Sequence, residues 1–494
     1  MLVLRPSRYL ARIMRIDPVQ RQSVISLGST IGLTAVGFLS TMYFAHTVGL
    51  SILGAYYLFV AYFSIFNLLG DGGFGSAAVK RISEGEDQGA YLTAFVVLRV
   101  MLMAVSVGFL LIVQPYLVDL TSSGVFPWLI LALVVSVFTS ITSNAVYGRG
   151  KVGVNQIGGL INNLVRIGIQ VAAVILGYGL AGLAGGFVAG LLAAGLFNFR
   201  FLDLALSPFR WSHISSLFAF SFWIFLSASG YLVFSYADTI LIGYFMTDTD
   251  VGIYRVALQL TSIATFVTLA LHTTLYPKVS YWGKQHDLAS VESALARAFT
   301  YSLLLAVPVL AGGWILGERL LYFFYGAPSA AGAGALAILL LVQVAHVFMY
   351  LQTMCLNALD RPKDSFRVTA VAVTANVVLN ILLIPAYGIV GASLATLVTM
   401  VLNATLAHRA LSRSIRVRME PRAVGHIVLA ALIMAAVVMA FSFAIPLSNV
   451  FLVLAAVALG GLVYILVLLR IDRGIHDELK ELTLKLGIPW PEGL

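Results

Sequence analysis

The composition excludes a soluble fold. The chain has 494 residues, of which 60% are hydrophobic and only 10% are charged, whereas soluble domains carry about 25% charged residues. A membrane-crossing helix needs about 20 apolar residues, and the chain holds enough for about fourteen of them. No polar stretch approaches the roughly 50 residues of a small domain, which excludes a soluble enzyme domain. The net charge is +9. In a membrane protein the positions of the charged residues are more informative than their sum, and we expect no nucleic-acid partner.

Fourteen apolar runs predict an all-α polytopic membrane protein. They lie near 22–46, 51–79, 92–115, 125–147, 155–177, 180–199, 215–243, 252–275, 298–317, 332–358, 365–385, 389–407, 424–445 and 449–469. Lys and Arg concentrate in every second loop, and the opposite loops hold only Arg319. Because positively charged loops stay cytoplasmic, both termini are predicted to lie on the cytoplasmic side of the cell membrane.

Basic or amphipathic segments flank the spans. Residues 1–21 and 471–494 are predicted to lie at the cytoplasmic membrane surface, the first as a basic interfacial segment and the second as an amphipathic tail. The first span is predicted to be a retained helix and not a cleaved signal. Five arginines lie between the twelfth and thirteenth spans. They either set the topology or form a patch for anionic lipids. The five are Arg409, Arg413, Arg416, Arg418 and Arg422.

Three short motifs recur in the same order about 200 residues apart. The pairs are 54–56 with 252–254, 149–151 with 361–363, and 178–182 with 387–391. Six spans separate the copies, which indicates parallel repeats related by an axis along the membrane normal. The expected architecture is a six-helix lobe over 22–199, a second over 200–407, and two further helices over 408–470.

Ionisable groups inside a membrane are costly and need a partner or a wet cavity. Asp71 could pair with Arg99, and Asp238 with Arg255, or these groups could serve a cavity. Arg166 lies near the predicted midplane on a polar stripe at helical spacing and has no acid at its depth. We therefore expect a hydrated cationic cavity, which suits phosphate oxygens. The candidate cavity residues are Arg166, Arg255, Arg99, Asn162, Gln170, Asn376, Asn380 and Gln259.

Ion coupling has three candidates, Asp71, Asp238 and His346, each with a structural alternative. The glycines of 70–75 match a dinucleotide-binding spacing, but no strand precedes them, so a helix break is predicted. The one cysteine, Cys355, is expected to be a buried core residue. No metal-ligand spacing or nucleophile triad occurs in the loops, and no cofactor is expected.

The chain resembles the polysaccharide and lipid-linked oligosaccharide flippases of the O-antigen type, within the multidrug/oligosaccharidyl-lipid/polysaccharide exporter superfamily. The resemblance rests on residues 237–243, 251–254, 275–277 and 376–392, with 54–56 and 69–80 as counterparts in the first lobe. It implies two six-helix lobes, alternating access, and a cargo of polyprenyl-(pyro)phosphate-linked sugar. Relatives that flip the peptidoglycan precursor carry arginines in the first helix, and this chain has no charge there.

The expected function is a flippase that carries a lipid-linked glycan from the cytoplasmic to the outer leaflet. The runner-up is a multidrug antiporter of the same superfamily, which would need a carboxylate deep in the first lobe. A membrane glycosyltransferase is a third alternative, with Asp248 and Asp250 as its only close acidic pair. Membrane lipids are expected to surround a monomer, and glycan polymerases or glycosyltransferases are candidate partners.

Overall fold

A computed structural model describes residues 18–117, 124–477 and 480, which fold into α-helices joined by short turns. We number the helices in chain order. They are α1 (Pro18–Thr47), α2 (Gly49–Asp71), α3 (Phe74–Ser83), α4 (Gln88–Val113), α5 (Phe126–Gly148), α6 (Val152–Ile175), α7 (Gly179–Phe199), α8 (Trp211–Phe245), α9 (Asp248–Thr261), α10 (Phe266–Lys284), α11 (Leu288–Tyr325), α12 (Ala333–Ala358), α13 (Pro362–Leu411), α14 (Pro421–Ala444) and α15 (Val450–Ile471).

The all-helical membrane fold is confirmed. Within the described ranges, 12 helical stretches are long and apolar enough to cross a membrane. One of them, α13, has 50 residues and is broken at Gly388 (φ 58°, ψ −140°), so it contains the two spans predicted at 365–385 and 389–407. The total of fourteen spans and the division into two lobes stay predictions. The predicted terminal surface segments lie largely outside the described residues.

The glycines that follow the second span break the helix, as predicted. Gly72 (φ 58°) and Gly73 (φ 78°) both adopt the left-handed conformation, which a helix cannot continue through and which glycine adopts without strain. Helix α2 therefore ends at Asp71, and α3 begins at Phe74. The predicted span of 51–79 was wrong in its end, because apolar residues continue past the break.

The repeated motifs adopt similar turns. The loop after α5 turns at Gly150 (φ 74°), and the loop before α13 turns at Asp360 (φ 58°). The motif pair 178–182 and 387–391 turns at Gly179 (φ 49°) and at Gly388 (φ 58°). Only Gly179 and Gly388 occupy matching positions of their motifs, because Gly150 corresponds to Pro362 and Asp360 lies two residues before it. The internal repeat stays a prediction.

An extended linker joins α7 to α8 and is tied to the first half. The Ser207 amide donates to Thr93 Oγ1 at 3.0 Å. Asp203 lies 2.9 Å from Lys151 and 3.3 Å from Arg149. Hydrogen bonds from these two cations lower the pKa of Asp203 to about 2. The linker is thus held to the α5–α6 loop at Asp203 and to α4 at Ser207.

The two halves meet where α2 crosses α9. Gly54 and Gly252, from the first repeated motif pair, lie at this crossing, and a Cβ on Gly54 would be 2.8 Å from the Gly252 amide nitrogen. One large apolar core contains buried residues of both halves, including Phe59 and Val256. The last two helices, α14 and α15, pack on α11 through a separate apolar cluster.

Candidate substrate and coupling sites

Arg166 lies on α6 and has no acidic partner among the described residues. The side chain is half-buried, and its Nη2 donates to Asn163 Oδ1 at 2.8 Å. Its Nε is buried without a hydrogen-bond partner. The guanidinium thus has one side-chain hydrogen bond in the described part of the chain, to an amide oxygen, and its charge is not balanced by a carboxylate there.

Arg255 lies on α9 against two tyrosine rings. Its guanidinium carbon is 5.2 Å from the centre of the Tyr57 ring and 5.7 Å from that of Tyr236. Such cation–π contacts hold the side chain without neutralising it. No ion pair of Arg255 occurs in the part of the chain that the structure describes. The Tyr57 hydroxyl donates to Gln259 Oε1 at 3.4 Å, which ties α2 to α9.

A tyrosine pair on α2 connects the surroundings of the two arginines. Gln170, one turn after Arg166 on α6, donates from Nε2 to the Tyr56 hydroxyl at 2.9 Å. Arg166 is close enough to Tyr56 to interact with it electrostatically. Tyr57, the next residue, lies against Arg255. Two cations therefore flank a tyrosine cluster at the contact of the two halves.

Other predicted residues of the polar stripe are structural. Gln170 is 2% exposed, and its Nε2 also donates to the Leu183 carbonyl at 2.8 Å, so it fixes α6 against α7. Asn162 is half-buried and packs on Gly190 of α7, where a Cβ would lie 2.8 Å from Asn162 Oδ1. The sequence did not single out Tyr57 or Tyr236, although the aromatic pair after Gly54 is visible in it.

Arg99 is sealed inside the first half, against the expectation of a cavity residue. Its side chain is 1% exposed. Nη2 donates to Asn67 Oδ1 at 2.6 Å and to Ser136 Oγ at 3.3 Å, and Nη1 donates to the Asn67 carbonyl at 3.1 Å. Asp71 Oδ1 lies 3.7 Å from Nη1. The structure thus shows the pairing alternative, because the break after Asp71 turns its carboxylate toward Arg99.

Asp238 lies in a buried polar network rather than beside Arg255. Its Oδ2 accepts hydrogen bonds from the Tyr254 hydroxyl at 2.6 Å and from Thr396 Oγ1 at 2.7 Å. Its Oδ1 accepts from Asn380 Nδ2 at 2.6 Å. All three donors are neutral, and Asp238 is only 7% exposed. The predicted pair with Arg255 is not formed, because Arg255 is turned to the tyrosine rings.

Asn376 and Asn380 extend this network along α13. Asn380 Nδ2 also donates to Asn376 Oδ1 at 3.1 Å, and Asn376 Nδ2 donates to Thr399 Oγ1 at 3.3 Å. Both amides are at most 1% exposed. Asn380 Oδ1 has no hydrogen-bond partner. Their role as substrate contacts stays a prediction, and in this structure they form a network with Asp238. Thr396 and Tyr254 were missed as members of this network, since neutral residues carry little sequence signal.

His346 belongs to a stack of rings between α10 and α12. Its ring stacks on Tyr350 with centres 5.1 Å apart, and His272 packs on the other side of Tyr350 at 4.8 Å. His346 Nδ1 is buried without a partner. No group of three His, Cys, Asp or Glu side chains that could hold a metal occurs in the described ranges.

These features define a multi-span α-helical membrane protein in which, within the described ranges, Arg166 and Arg255 have no carboxylate partner. The chain belongs to the polysaccharide biosynthesis protein family, which it matches over residues 50–331.

Relatives in Haloferax volcanii match nearly the whole chain. The "Probable flippase AglR" is 28% identical over 94% of this chain and 98% of the relative. The "Probable low-salt glycan biosynthesis flippase Agl15" is 26% identical over 86% of this chain and 90% of the relative. Among solved structures, the lipid II flippase MurJ in an inward closed conformation superposes with a TM-score of 0.70 at 18% identity. That match covers 90% of this chain and 98% of MurJ, and it shows a shared fold.

Proposed function

We propose that this protein is a flippase that moves the sugar head of a polyprenyl-(pyro)phosphate-linked glycan from the cytoplasmic to the outer leaflet. The observation that carries the proposal is the pair Arg166 and Arg255, one from each half. Neither has a carboxylate partner among the described residues, and both flank the Tyr56–Tyr57 cluster. The names of the two Haloferax relatives support a flippase that handles glycans.

The arginines would bind the phosphate of the carrier. A guanidinium presents planar donors that fit phosphate oxygens in pairs. Burial in a protein that excludes water strengthens this attraction relative to bulk solvent. The tyrosine hydroxyls and Gln259 would offer hydrogen bonds to sugar hydroxyls, while the lipid tail stays in the bilayer.

In this proposal, alternating access uses the contact between α2 and α9. Gly54 and Gly252 bring α2 and α9 together at the end predicted to face outward. Opening this crossing would release the head to the outer leaflet, and closing it would return the site to the inside. In this proposal both termini are cytoplasmic, and a cytoplasmic glycosyltransferase supplies the cargo.

Asp238 is the proposed coupling residue. A buried carboxylate with only neutral partners is costly in its charged form unless a proton or a small cation joins it. The residues fit such an ion, because rotation of the Asn380 amide would present its unpartnered Oδ1 beside Asp238. Carboxylate, amide and hydroxyl oxygens are ligands that hard cations prefer. Asp71 is less suited, because Arg99 already neutralises it.

The substrate site is tested by deleting the gene and complementing with wild type, Arg166→Ala, Arg255→Ala or Arg367→Ala. Arg367 is a matched control, since its side chain is 78% exposed and lies near Asp364. We expect the first two variants to lose surface glycan and accumulate the lipid-linked precursor, while the control restores both. Normal surface glycan in the deletion strain, with new sensitivity to cationic dyes, would favour the antiporter instead.

The coupling site is tested by transport in vesicles with imposed ion gradients. Wild type should respond to a sodium or a proton gradient, and Asp238→Asn should respond to neither. Glu318→Gln, an exposed acid exchanged in the same way, serves as the control. Retained gradient dependence in Asp238→Asn would exclude this carboxylate as the coupling group without affecting the assignment of the arginines.

A further inference from the structure

A membrane-facing groove lies between α12 and the part of α13 that follows Gly388. It has a volume of about 580 Å³ and is lined by apolar side chains, among them Leu341 and Phe348 of α12 and Leu397 and Val401 of α13. Val401 is 49% exposed, so the groove is open on the side where it would meet lipid chains. Apolar side chains that surround an open groove within a membrane-spanning segment suit a hydrocarbon chain.

One end of this groove is polar. Gln352, Thr405 and His408 line it there. Gln352 is only 4% exposed, and its Oε1 is buried without a hydrogen-bond partner. A buried polar atom without a partner is rare in native structures. A ligand with a hydroxyl group near its head would satisfy this acceptor.

Exposed arginines follow directly beyond that end. Arg409 is the residue after His408, and Arg413 lies one turn further on; both are exposed. The ion pairs of the described residues include neither of them, nor the other three arginines of 409–422. Glu292 accepts a hydrogen bond from the Arg416 backbone amide at 2.7 Å. Glu420, the one acid within 409–422, accepts from Thr300 Oγ1 at 3.4 Å. The mouth of the groove therefore keeps its positive charge.

We propose that this groove and the arginines at its mouth bind one anionic phospholipid whose head group carries hydroxyls, as phosphatidylglycerol does. Its chain would lie between α12 and α13, and its phosphate would meet Arg409 and Arg413. The head group would fold back beside the phosphate, so that one of its hydroxyls donates to Gln352 Oε1. The apolar body of the groove and its positive mouth occur in the order in which a phospholipid presents its chain and its phosphate. This lipid is distinct from the transported cargo, since Arg166 and Arg255 take no part.

The test measures lipid binding to the purified full chain by native mass spectrometry, with phosphatidylglycerol and phosphatidylcholine as probes. Wild type should retain phosphatidylglycerol and not phosphatidylcholine. Arg409→Gln/Arg413→Gln should weaken phosphatidylglycerol binding about 30-fold, which corresponds to about 1 kcal/mol for each arginine near a membrane surface. Ala404→Leu, which fills the groove wall without a change in charge, should weaken binding as well.

The matched control removes two exposed arginines elsewhere, as Arg200→Gln/Arg470→Gln, and should bind like wild type. Each variant is first checked for a wild-type elution volume and melting temperature. If Ala404→Leu fails to fold, Gln352→Leu, a change inside the groove, is used in its place and should also weaken phosphatidylglycerol binding. Equal retention of both lipids, or equal loss in the control and in Arg409→Gln/Arg413→Gln, would overturn the proposal. Unchanged binding in the groove variants would also overturn it.

Discussion

The crossing of α2 and α9 leaves no room for a side chain at Gly252, so a single methyl group should open it. A Cβ there would lie 3.0 Å from the Leu50 carbonyl carbon and would overlap the oxygen of that carbonyl. Carbon atoms pack well at about 3.5–4.0 Å, so α2 and α9 must separate by roughly 1 Å. Neither neighbour can rotate away, because the obstructing atoms belong to the backbone. Gly252→Ala should therefore weaken the contact between the halves.

The expected effect is large enough to measure. Overpacking by one methyl group costs about 1–3 kcal/mol. A change of that size shifts an equilibrium between two states by about 5- to 150-fold. The open state should thus become populated even if the closed state prevails in wild type. Flipping should slow, because the site would return inward less often.

The assay measures the distance between two spin labels by double electron–electron resonance. The labels replace Ser51 on α2 and Tyr244 on α8, both exposed, in a background where Cys355→Ala removes the native thiol. Gly252→Ala should add a population at longer distance. Gly461→Ala is the control, since a Cβ there meets nothing within 4 Å. An unchanged distance distribution in Gly252→Ala would refute the reasoning that this crossing closes the outer end.

Three further substitutions test the buried and loop networks through thermal unfolding of the purified chain. Arg99→Met should cost more than about 1 kcal/mol but less than the roughly 3–5 kcal/mol of a fully buried pair, because it leaves Asp71, which is 24% exposed, without its cation; a loss below about 1 kcal/mol would contradict the pairing. Thr396→Val should cost about 1–3 kcal/mol by removing one of three donors to Asp238, and a neutral effect would mean that Asp238 is protonated there. Asp203 has a folded pKa of about 2, so its contribution is present above about pH 4 and is lost as the pH falls through 2. Because this carboxylate is 41% exposed, Asp203→Asn should cost less than about 1 kcal/mol, equally at pH 5 and pH 8.

The sequence was sufficient for the membrane class and the position of most helices, because lipid demands continuous apolar runs. It also located the break at Gly72 and Gly73, since paired glycines in an apolar run favour a turn. It could not place side chains around a helix axis relative to neighbouring helices. The sequence offered Asp71 as a partner for Arg99 and no acid for Arg166, but it could not show that Arg99 is also sealed against Asn67 and Ser136.

The network around Asp238 was only half predictable for the same reason. A carboxylate in an apolar run is conspicuous, and so is the spacing of Asn376 and Asn380. Their meeting depends on α8 packing against α13, which no local pattern encodes. Tyr254 and Thr396 are ordinary helix residues until that packing directs their hydroxyls at Asp238. Tertiary contact thus turned two unremarkable residues into members of a site.

The order of residues along α9 suggests how an ion, a cargo and a conformational change could be linked. Gly252 forms the crossing with α2, Tyr254 donates to Asp238, and Arg255 lies in the proposed anion site. All three lie within one turn of a single helix, which moves largely as a rigid unit. An ion that neutralises Asp238 would alter the hydrogen bond of Tyr254 and so bias the position of α9. The same displacement would change the crossing at Gly252 and the reach of Arg255. Gly252→Ala should therefore alter the ion dependence of transport as well as its rate. An effect on the rate alone would show that the α2–α9 crossing is not coupled to the ion site at Asp238.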